Sequence, residues 1–281
     1  MKTIEKLLAF IALWALAIFN EFFAVSLAHK LQISDSIMFF SAVVIISIIV
    51  FIFLHYRKKY SVEIHTYVLK EEHEKAEKAQ RGLVLLLTPL NSFNSLQVYK
   101  SENPEKYEKA IIEMDLDVLN LEDTSRSNYG HLITALKAHQ TMLEHVWLIC
   151  SRSKLDLTVQ SLNYAPLMEK FIIERINKKI KVHYGLEYSV LLDDDSSVCR
   201  ASFDLTKKIY KEAKKLKIKT KEIITDATGG TKSISTGVIL ACLNKDENIQ
   251  LIGTAYDDNG KPKGEPYPVV IQYAPFTLDE N

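Results

Sequence analysis

The stretch that decides the fold is Glu222-Ile223-Ile224-Thr225-Asp226-Ala227-Thr228-Gly229-Gly230-Thr231-Lys232-Ser233. A short apolar run, suited to a buried strand, leads directly into two glycines, and an apolar helical pattern follows them. This order predicts a strand, a tight turn and a helix whose first N–H groups have no partner inside the helix. Those free donors, at the positive end of the helix dipole, favour a bound anion such as phosphate.

The side chains around the glycine turn suit the same chemistry. Hydroxyls precede and follow the glycines, and Lys232 adds a cation. The turn is not a Walker A loop, because Thr231 and Ala227 stand where that motif requires glycine. The sequence predicts a ligand site formed by Thr228, Gly229, Gly230, Thr231 and Lys232. The alternative is a tight strand-to-helix connection that binds nothing.

The turn also resembles a known family. Residues 226–232 read D-A-T-G-G-T-K and are similar to the D-x-T-G-G-T-K signature of CARF domains, the Rossmann-like sensors of cyclic oligoadenylates in type III CRISPR defence. Residues 128–139 and 145–151 resemble the helix and strand that precede this signature. The likeness covers residues 81–275. It implies a cyclic oligoadenylate ligand, with tetra-adenylate favoured, and an assembly of at least a homodimer with the ligand on its two-fold axis.

Strand and helix patterns alternate from residue 83 onward, which predicts a mostly parallel sheet with helices on both faces. Predicted strands cover residues 83–87, 116–121, 146–150, 181–184, 222–225, 249–254 and 269–273. Predicted helices cover residues 104–114, 129–143, 165–178, 202–217 and 231–243. Ligands of such sheets bind beyond the carboxyl ends of the strands.

That rule selects two further loops as parts of the ligand site. One follows the first strand and contains Thr88, Pro89, Asn91 and Ser92; the other contains Ser151, Arg152 and Ser153. Hydroxyls, amides and cations suit a ligand made of phosphates and bases. The alternatives are an ordinary turn in the first loop and ordinary surface residues in the second.

The first 56 residues concentrate the apolar excess of the chain. Residues 7–28 and 37–54 are each long enough to cross a hydrocarbon core of about 30 Å, and a short link joins them. The predicted fold class is therefore an N-terminal transmembrane α-helical hairpin followed by an α/β Rossmann-like CARF domain over 81–281. Residues 57–80, rich in Glu and Lys, are predicted to form a charged helical stalk.

Basic residues set the predicted orientation of the hairpin. Lys2 and Lys6 precede the first span and Arg57, Lys58 and Lys59 follow the second, which predicts a multi-pass protein of the inner cell membrane with both termini cytoplasmic. The alternative for the first span is a cleaved signal peptide.

Asn20 and Glu21 are the polar residues predicted inside the membrane. A carboxyl group at bilayer depth is costly, so Glu21 should not face lipid. Three alternatives remain open: a ring of Glu21 side chains lining a pore, a protonated Glu21 that bonds helices together, or a hydrated position near the interface.

Other chemistry is less well supported by the residues. Residues 126–131 match the R-x4-H pattern of HEPN ribonucleases, but the match falls at a helix start with no separate helical domain after it. Cys150, Cys199 and Cys242 suggest free thiols in a reducing compartment, and His and Asp clusters lack metal-ligand spacing. No metal and no cofactor are predicted. A net charge of zero gives no electrostatic footprint for long nucleic acids.

The predicted function is a cyclic oligoadenylate-activated membrane effector of antiviral defence, whose partners are the ligand, the lipid bilayer and further copies of the chain. Ligand binding would open a pore or perturb the bilayer. Two alternatives remain: a ring nuclease, in which Lys232 stabilises charge on the scissile phosphate, and a membrane receptor that recruits a protein.

Overall fold

The computed structural model describes Ser47 and residues 62–69, 71–90, 104–122, 127–243, 247–259 and 262–275. The chain divides into two compact units, and nearly all described residues belong to the unit Val62–Ala274. The fold and the site described below lie in this unit.

An eight-stranded mixed sheet forms the centre of the unit, in the order β1-β8-β7-β6-β2-β3-β4, with β5 paired to the end of β3. Strands β4, β3, β2, β6 and β7 run parallel, and β7 and β8 form an antiparallel pair. The strands are β1 Val62–Val68, β2 Gly82–Leu86, β3 His145–Arg152, β4 Lys181–His183, β5 Ser189–Leu191, β6 Ile223–Asp226, β7 Asn248–Tyr256 and β8 Pro262–Pro275.

Helices cover both faces of this sheet. They are α1 Glu72–Lys78, α2 Pro104–Glu113, α3 Leu116–Leu119, α4 Gly130–His139, α5 Ala165–Phe171, α6 Asp195–Lys215 and α7 Lys232–Ala241. A π-helical turn, Ile172–Ile176, continues α5. Short 3₁₀ turns lie at Leu157–Val159, Leu162–Tyr164, Leu186–Tyr188 and Thr220–Glu222.

Alternating side chains of the central strands build two separate cores. Leu83 and Leu85 of β2 pack with α4 and α5 on one face, whereas Val84 and Leu86 pack with α6 and α7 on the other. Every residue of β2 is buried, as expected for a strand covered on both faces. The structure therefore supports the α/β part of the predicted fold, with a mixed sheet.

The predicted fold class is wrong in its membrane part. Within the described residues, no helix combines the length and the apolar character that a bilayer crossing requires. The longest of these helices, α6, has 21 residues. It fails because its second half is dense in lysine, which hydrocarbon excludes: Lys207, Lys208, Lys211, Lys214 and Lys215. The multi-pass localisation in the inner membrane is corrected on the same finding. Residues 7–28, with Asn20 and Glu21, and 37–54 apart from Ser47 lie outside the described residues.

Two secondary-structure predictions also differ from the fold. The strand predicted at 116–121 is helix α3, because the Asp115 carboxylate caps it by accepting the N–H groups of Asp117 and Val118. The helical stalk predicted over 57–80 is strand β1 followed by α1 in its described part. Leu69, just after β1, donates its N–H to Pro268 of β8 at 2.9 Å and is buried.

Candidate functional site

Three neighbouring parallel strands bring the predicted ligand loops to one edge of the sheet. Leu85 of β2 pairs with Asp226 of β6, so β2 and β6 end at similar heights. Leu86 of β2 pairs with Ile149, and β3 continues for three more residues to Arg152. β2 lies between strands reached by crossovers in opposite directions, which is where open α/β sheets bind ligands. We call this edge the carboxyl edge; it comprises loops 87–90 and 227–232 and residues 151–153, of which Ser151 and Arg152 are the last two residues of β3.

The two glycines of the turn are required for different reasons. A Cβ on Gly229 would lie 2.5 Å from the carbonyl oxygen of Leu86, so the turn touches the end of β2. Gly230 has a φ of +82°, a conformation that side chains other than glycine rarely adopt. The close approach that Gly229 allows is therefore to the end of β2.

The glycine turn leads into helix α7, whose first backbone N–H groups have no partner within the helix. Thr231 is the N-cap, and its hydroxyl oxygen accepts the N–H of Ile234 at 3.4 Å. Ser235 donates its hydroxyl to the carbonyl oxygen of Gly229 at 2.8 Å, which holds the turn against the helix. Within the described residues, no hydrogen bond uses the N–H groups of Thr231 or Lys232. Both residues are exposed and lie at the carboxyl edge.

Thr228 plays a different part from its neighbours in the turn. Its hydroxyl oxygen accepts the N–H of Ile252 in β7 at 2.7 Å, and its own N–H donates to the Asp226 carboxylate at 3.0 Å. Thr228 therefore anchors the turn to β7, and the exposed part of the predicted site is formed by Gly230, Thr231 and Lys232.

The loop after β2 is held by two residues at the start of α4. Asn128 donates its side-chain N–H₂ to the Pro89 carbonyl at 2.7 Å and to the Thr88 hydroxyl oxygen at 3.1 Å. The Tyr129 hydroxyl donates to the Thr88 carbonyl at 2.9 Å. Thr88 and Pro89 are thus fixed at the carboxyl edge, and Asn91 and Ser92 lie outside the described residues.

The loop predicted over Ser151, Arg152 and Ser153 is in part strand, because β3 extends to Arg152 and pairs there with β5. Both serines use their hydroxyls to hold neighbouring segments of the protein. Ser151 donates its hydroxyl to Val159, and its N–H donates to the Ser161 hydroxyl at 2.7 Å. Ser153 donates to the Asp193 carboxylate at 2.7 Å and accepts the N–H of Asp156 at 2.9 Å. Both serines are buried, so of this predicted trio only Arg152 keeps unused hydrogen-bonding capacity.

Unsatisfied polar atoms mark the same edge. Among the described residues, three buried side-chain atoms have no hydrogen-bond partner: Oδ1 of Asn128, Nε of Arg152 and Nε2 of His131. Buried polar atoms without a protein partner are uncommon, and each is free to bond to a ligand or to water. Two of the residues hold or belong to the loops of the carboxyl edge, and His131 lies in the first turn of α4. An acceptor at Asn128 and a donor at Arg152 suit a ligand that carries both N–H groups and anionic oxygens.

Sequence reasoning missed Asn128 and His131 as site residues. Both lie in the Asn128-Tyr129-Gly130-His131 stretch, whose polar residues at a helix start were the available signal. Burial lowers the pKa of His131 to about 4, so its imidazole is neutral near pH 7. A neutral ring next to a buried helix start offers a hydrogen bond without adding charge.

A concavity lies away from the glycine turn. It has a volume of about 580 Å³ and is bounded by α1, α4 and the β7–β8 hairpin, with Lys75, Gly130, Thr134, Lys137, Gly264 and Tyr267 among its lining residues. None of the three unpartnered atoms belongs to its lining, and its Lys137 is paired with Glu122 at 2.7 Å. We therefore assign the site to the carboxyl edge.

Metal chemistry finds no support in the described part of the chain, where no three His, Cys, Asp or Glu side chains are grouped to hold an ion. Cys150, Cys199 and Cys242 are free thiols, and burial raises the pKa of Cys150 to about 12. The Cys150 thiol is therefore protonated and unreactive at neutral pH.

Comparison with known proteins gives no assignment. No protein-family model matches this chain, and no curated protein matches it. The resemblance to CARF domains stays a prediction from the residues that carry it.

Replacing Asn128 with aspartate tests how the loop after β2 is held. The substitution sets a carboxylate oxygen against the Pro89 carbonyl, so we expect the free energy of unfolding to fall by about 1–3 kcal/mol in chemical denaturation. Asn120→Asp is the matched control, because Asn120 is an exposed C-cap and aspartate tolerates its left-handed conformation. Equal losses in the two variants would contradict the role given to Asn128.

Proposed function

We propose that this protein is a sensor that binds a cyclic oligoadenylate at the carboxyl edge. The observation that carries the proposal is the open N-terminus of α7, with Lys232 beside it, on the edge where Asn128 and Arg152 keep buried polar atoms without partners. The N–H groups of Thr231 and Lys232 suit a phosphate, because they add to the helix dipole and the lysine charge.

The other end of the ligand is argued from the unpartnered atoms. The Asn128 side-chain oxygen can accept a hydrogen bond, and the exocyclic amino group of adenine can donate one. Arg152 Nε can donate a hydrogen bond to an oxygen of the ligand. A ligand with phosphates and amino-bearing bases therefore meets complementary groups on both sides of the edge. The resemblance of residues 226–232 to the CARF signature supports the cyclic oligoadenylate among such ligands.

The proposal includes no pore and no lipid partner, because the multi-pass membrane assignment is wrong. An assembly of at least two copies stays part of it, since that follows from the resemblance. Ring-nuclease activity is tested by incubating the full-length protein with cyclic tetra-adenylate and looking for linear products. Such products would make the carboxyl edge a catalytic site, with Lys232 beside the scissile phosphate.

Removing the Lys232 charge tests the anion site. We expect Lys232→Ala to weaken binding of cyclic tetra-adenylate to the full-length protein by about 1.5–3 kcal/mol, the usual value of a charged hydrogen bond. Isothermal titration calorimetry measures the loss, and cyclic tri- and hexa-adenylate are titrated alongside.

Lys221→Ala is the matched control for this experiment. Lys221 is also exposed but lies in the 3₁₀ turn before β6, at the opposite end of that strand. The control should bind like the wild type. Equal weakening by both variants would show that only overall charge matters, and no binding of any ring by the wild type would refute the proposed function.

A further inference from the structure

A buried chain of hydrogen bonds ends at the glycine turn. The N–H of Gln80 donates to Nδ1 of His139 at 3.3 Å, and Nε2 of His139 lies 2.8 Å from the Oε1 of Gln250. The Gln250 side-chain N–H₂ then donates to Oδ2 of Asp226 at 3.2 Å. The other oxygen of Asp226 accepts the N–H of Thr228 at 3.0 Å. We call this series the Gln80–Asp226 chain.

The direction of every bond in this chain is fixed from one end. The backbone N–H of Gln80 can only donate, so Nδ1 of His139 is the acceptor and the proton of the neutral ring sits on Nε2. Nε2 must then donate to the oxygen of Gln250, which leaves the Gln250 nitrogen facing Asp226. Both oxygens of Asp226 are acceptors as a result, which is the pattern that a carboxylate satisfies.

Because the Gln80–Asp226 chain is buried, water cannot readily replace one of its hydrogen bonds. His139, Gln250 and Asp226 are each completely buried, so water is not at hand to repair a broken link. Burial raises the pKa of Asp226 to about 6, and the hydrogen bonds from Thr228 and Gln250 oppose that shift. The carboxylate is therefore present at neutral pH, held by two donors.

The Gln80–Asp226 chain of hydrogen bonds joins the two ends of the sheet. Gln80 lies just before β2, at the end of that strand opposite to the carboxyl edge, and His139 is the last residue of α4. Asp226 is the last residue of β6 and leads directly into the turn. Thr228, which Asp226 fixes, is followed at once by the glycines that deliver the α7 N-terminus.

We propose that His139 and Gln250 are positioning residues for the ligand turn: they orient the Asp226 carboxylate, which holds Thr228 and thereby places the open N–H groups of α7 for an anion. This inference deepens the proposed function and rests on it for the ligand. It adds two residues that touch no ligand to the determinants of binding.

The fixed bond directions allow a rescue experiment. Asp226→Asn alone sets two N–H₂ groups against each other, and Gln250→Glu alone sets two carboxylates against each other. The double variant Asp226→Asn/Gln250→Glu restores every link, because the amide at position 226 donates to the carboxylate at position 250, which still accepts from His139. A general loss of packing would make the double variant the worst of the three.

The readout is amide hydrogen exchange of residues 227–234 in the ligand-free, full-length protein. Each single variant is expected to speed exchange there by about tenfold, and the double variant to return it to within about threefold of the wild type. Exchange in α6 should not change. Gln272→Glu on the adjacent strand β8 is the matched control and should leave residues 227–234 as in the wild type.

Binding of cyclic tetra-adenylate to the same variants is the second readout. The single variants should bind about tenfold more weakly and the double variant should recover. Unchanged exchange in the single variants, or no recovery in the double variant, overturns the positioning role even if the ligand binds. If no variant and no wild type binds the ligand, the proposed function fails while the exchange pattern still decides the positioning role.

Discussion

Replacing Gly229 with alanine is expected to lower the free energy of unfolding by about 1–3 kcal/mol, the usual cost of overpacking, and to weaken binding of cyclic tetra-adenylate more than Lys232→Ala does. The added Cβ would lie 2.5 Å from the carbonyl oxygen of Leu86, a distance that real Cβ atoms essentially never show. Because the obstacle is backbone, the turn itself must move away from β2. The N–H groups of Thr231 and Lys232 move with it, so stability and binding fall together.

Gly264→Ala is the control for this experiment. Gly264 has a φ of +78°, but a Cβ there meets nothing within 4 Å, so alanine adds backbone strain without a clash. We expect a loss of about 1–2 kcal/mol in the unfolding free energy and no change in ligand affinity. Thermal denaturation and calorimetry on both variants provide the comparison. Retained affinity in Gly229→Ala would show that the contact between the turn and β2 does not place the anion site.

The second large effect concerns pH and His139. Burial lowers the pKa of His139 to about 4 from its ordinary 6.5, so between these values the unfolded chain binds a proton that the folded chain does not. Stability from this group is complete above pH 6.5 and is lost as the pH falls toward 4. At about 1.4 kcal/mol per pKa unit, the loss is about 3 kcal/mol. His139→Gln removes this titrating group. The loss in unfolding free energy that the substitution causes should therefore be about 3 kcal/mol smaller at pH 4 than at pH 7.

Asp226→Asn should show the opposite dependence. Burial raises the pKa of Asp226 from 3.8 to about 6, so the folded chain holds the proton longer, and stability from this group falls as the pH rises through 6. Asparagine does not titrate, so the variant does not lose stability in this way. The loss in unfolding free energy that Asp226→Asn causes should therefore be smaller at pH 7 than at pH 4. Denaturant unfolding at the two pH values measures both variants. Penalties that do not change with pH, or that change in the same direction, would contradict these pKa shifts.

The sequence predicted much of what places the site. The apolar run before Gly229 and the one at 83–87 are strands β6 and β2, and local patterns suffice there because both strands are buried on two faces. The strand prediction at 116–121 failed because one helix-capping residue outweighs the strand propensity of the residues after it. Residues 116–121 are apolar enough for a strand, but Asp115 caps them into α3 and Asn120 ends that helix in a left-handed conformation.

Contacts between distant residues explain the rest of the differences. Asn128 is forty residues from the Thr88 hydroxyl to which it bonds, and no local pattern encodes that pairing. Ser151 and Ser153 have the composition of a ligand loop, yet Ser161 and Asp193 engage their hydroxyls. The Gln80–Asp226 chain joins four segments of the sequence, so only the folded sheet reveals it.

Nuclear magnetic resonance of the full-length protein can map where the ligand binds. Backbone and side-chain amide resonances of the full-length protein are recorded while cyclic tetra-adenylate is added. We expect the largest shifts at the N–H groups of Gly230, Thr231 and Lys232 and at the side-chain amide of Asn128. Shifts centred instead on Thr134 and Tyr267, in the cavity between α4 and the β7–β8 hairpin, or no shifts at saturating ligand, would contradict it.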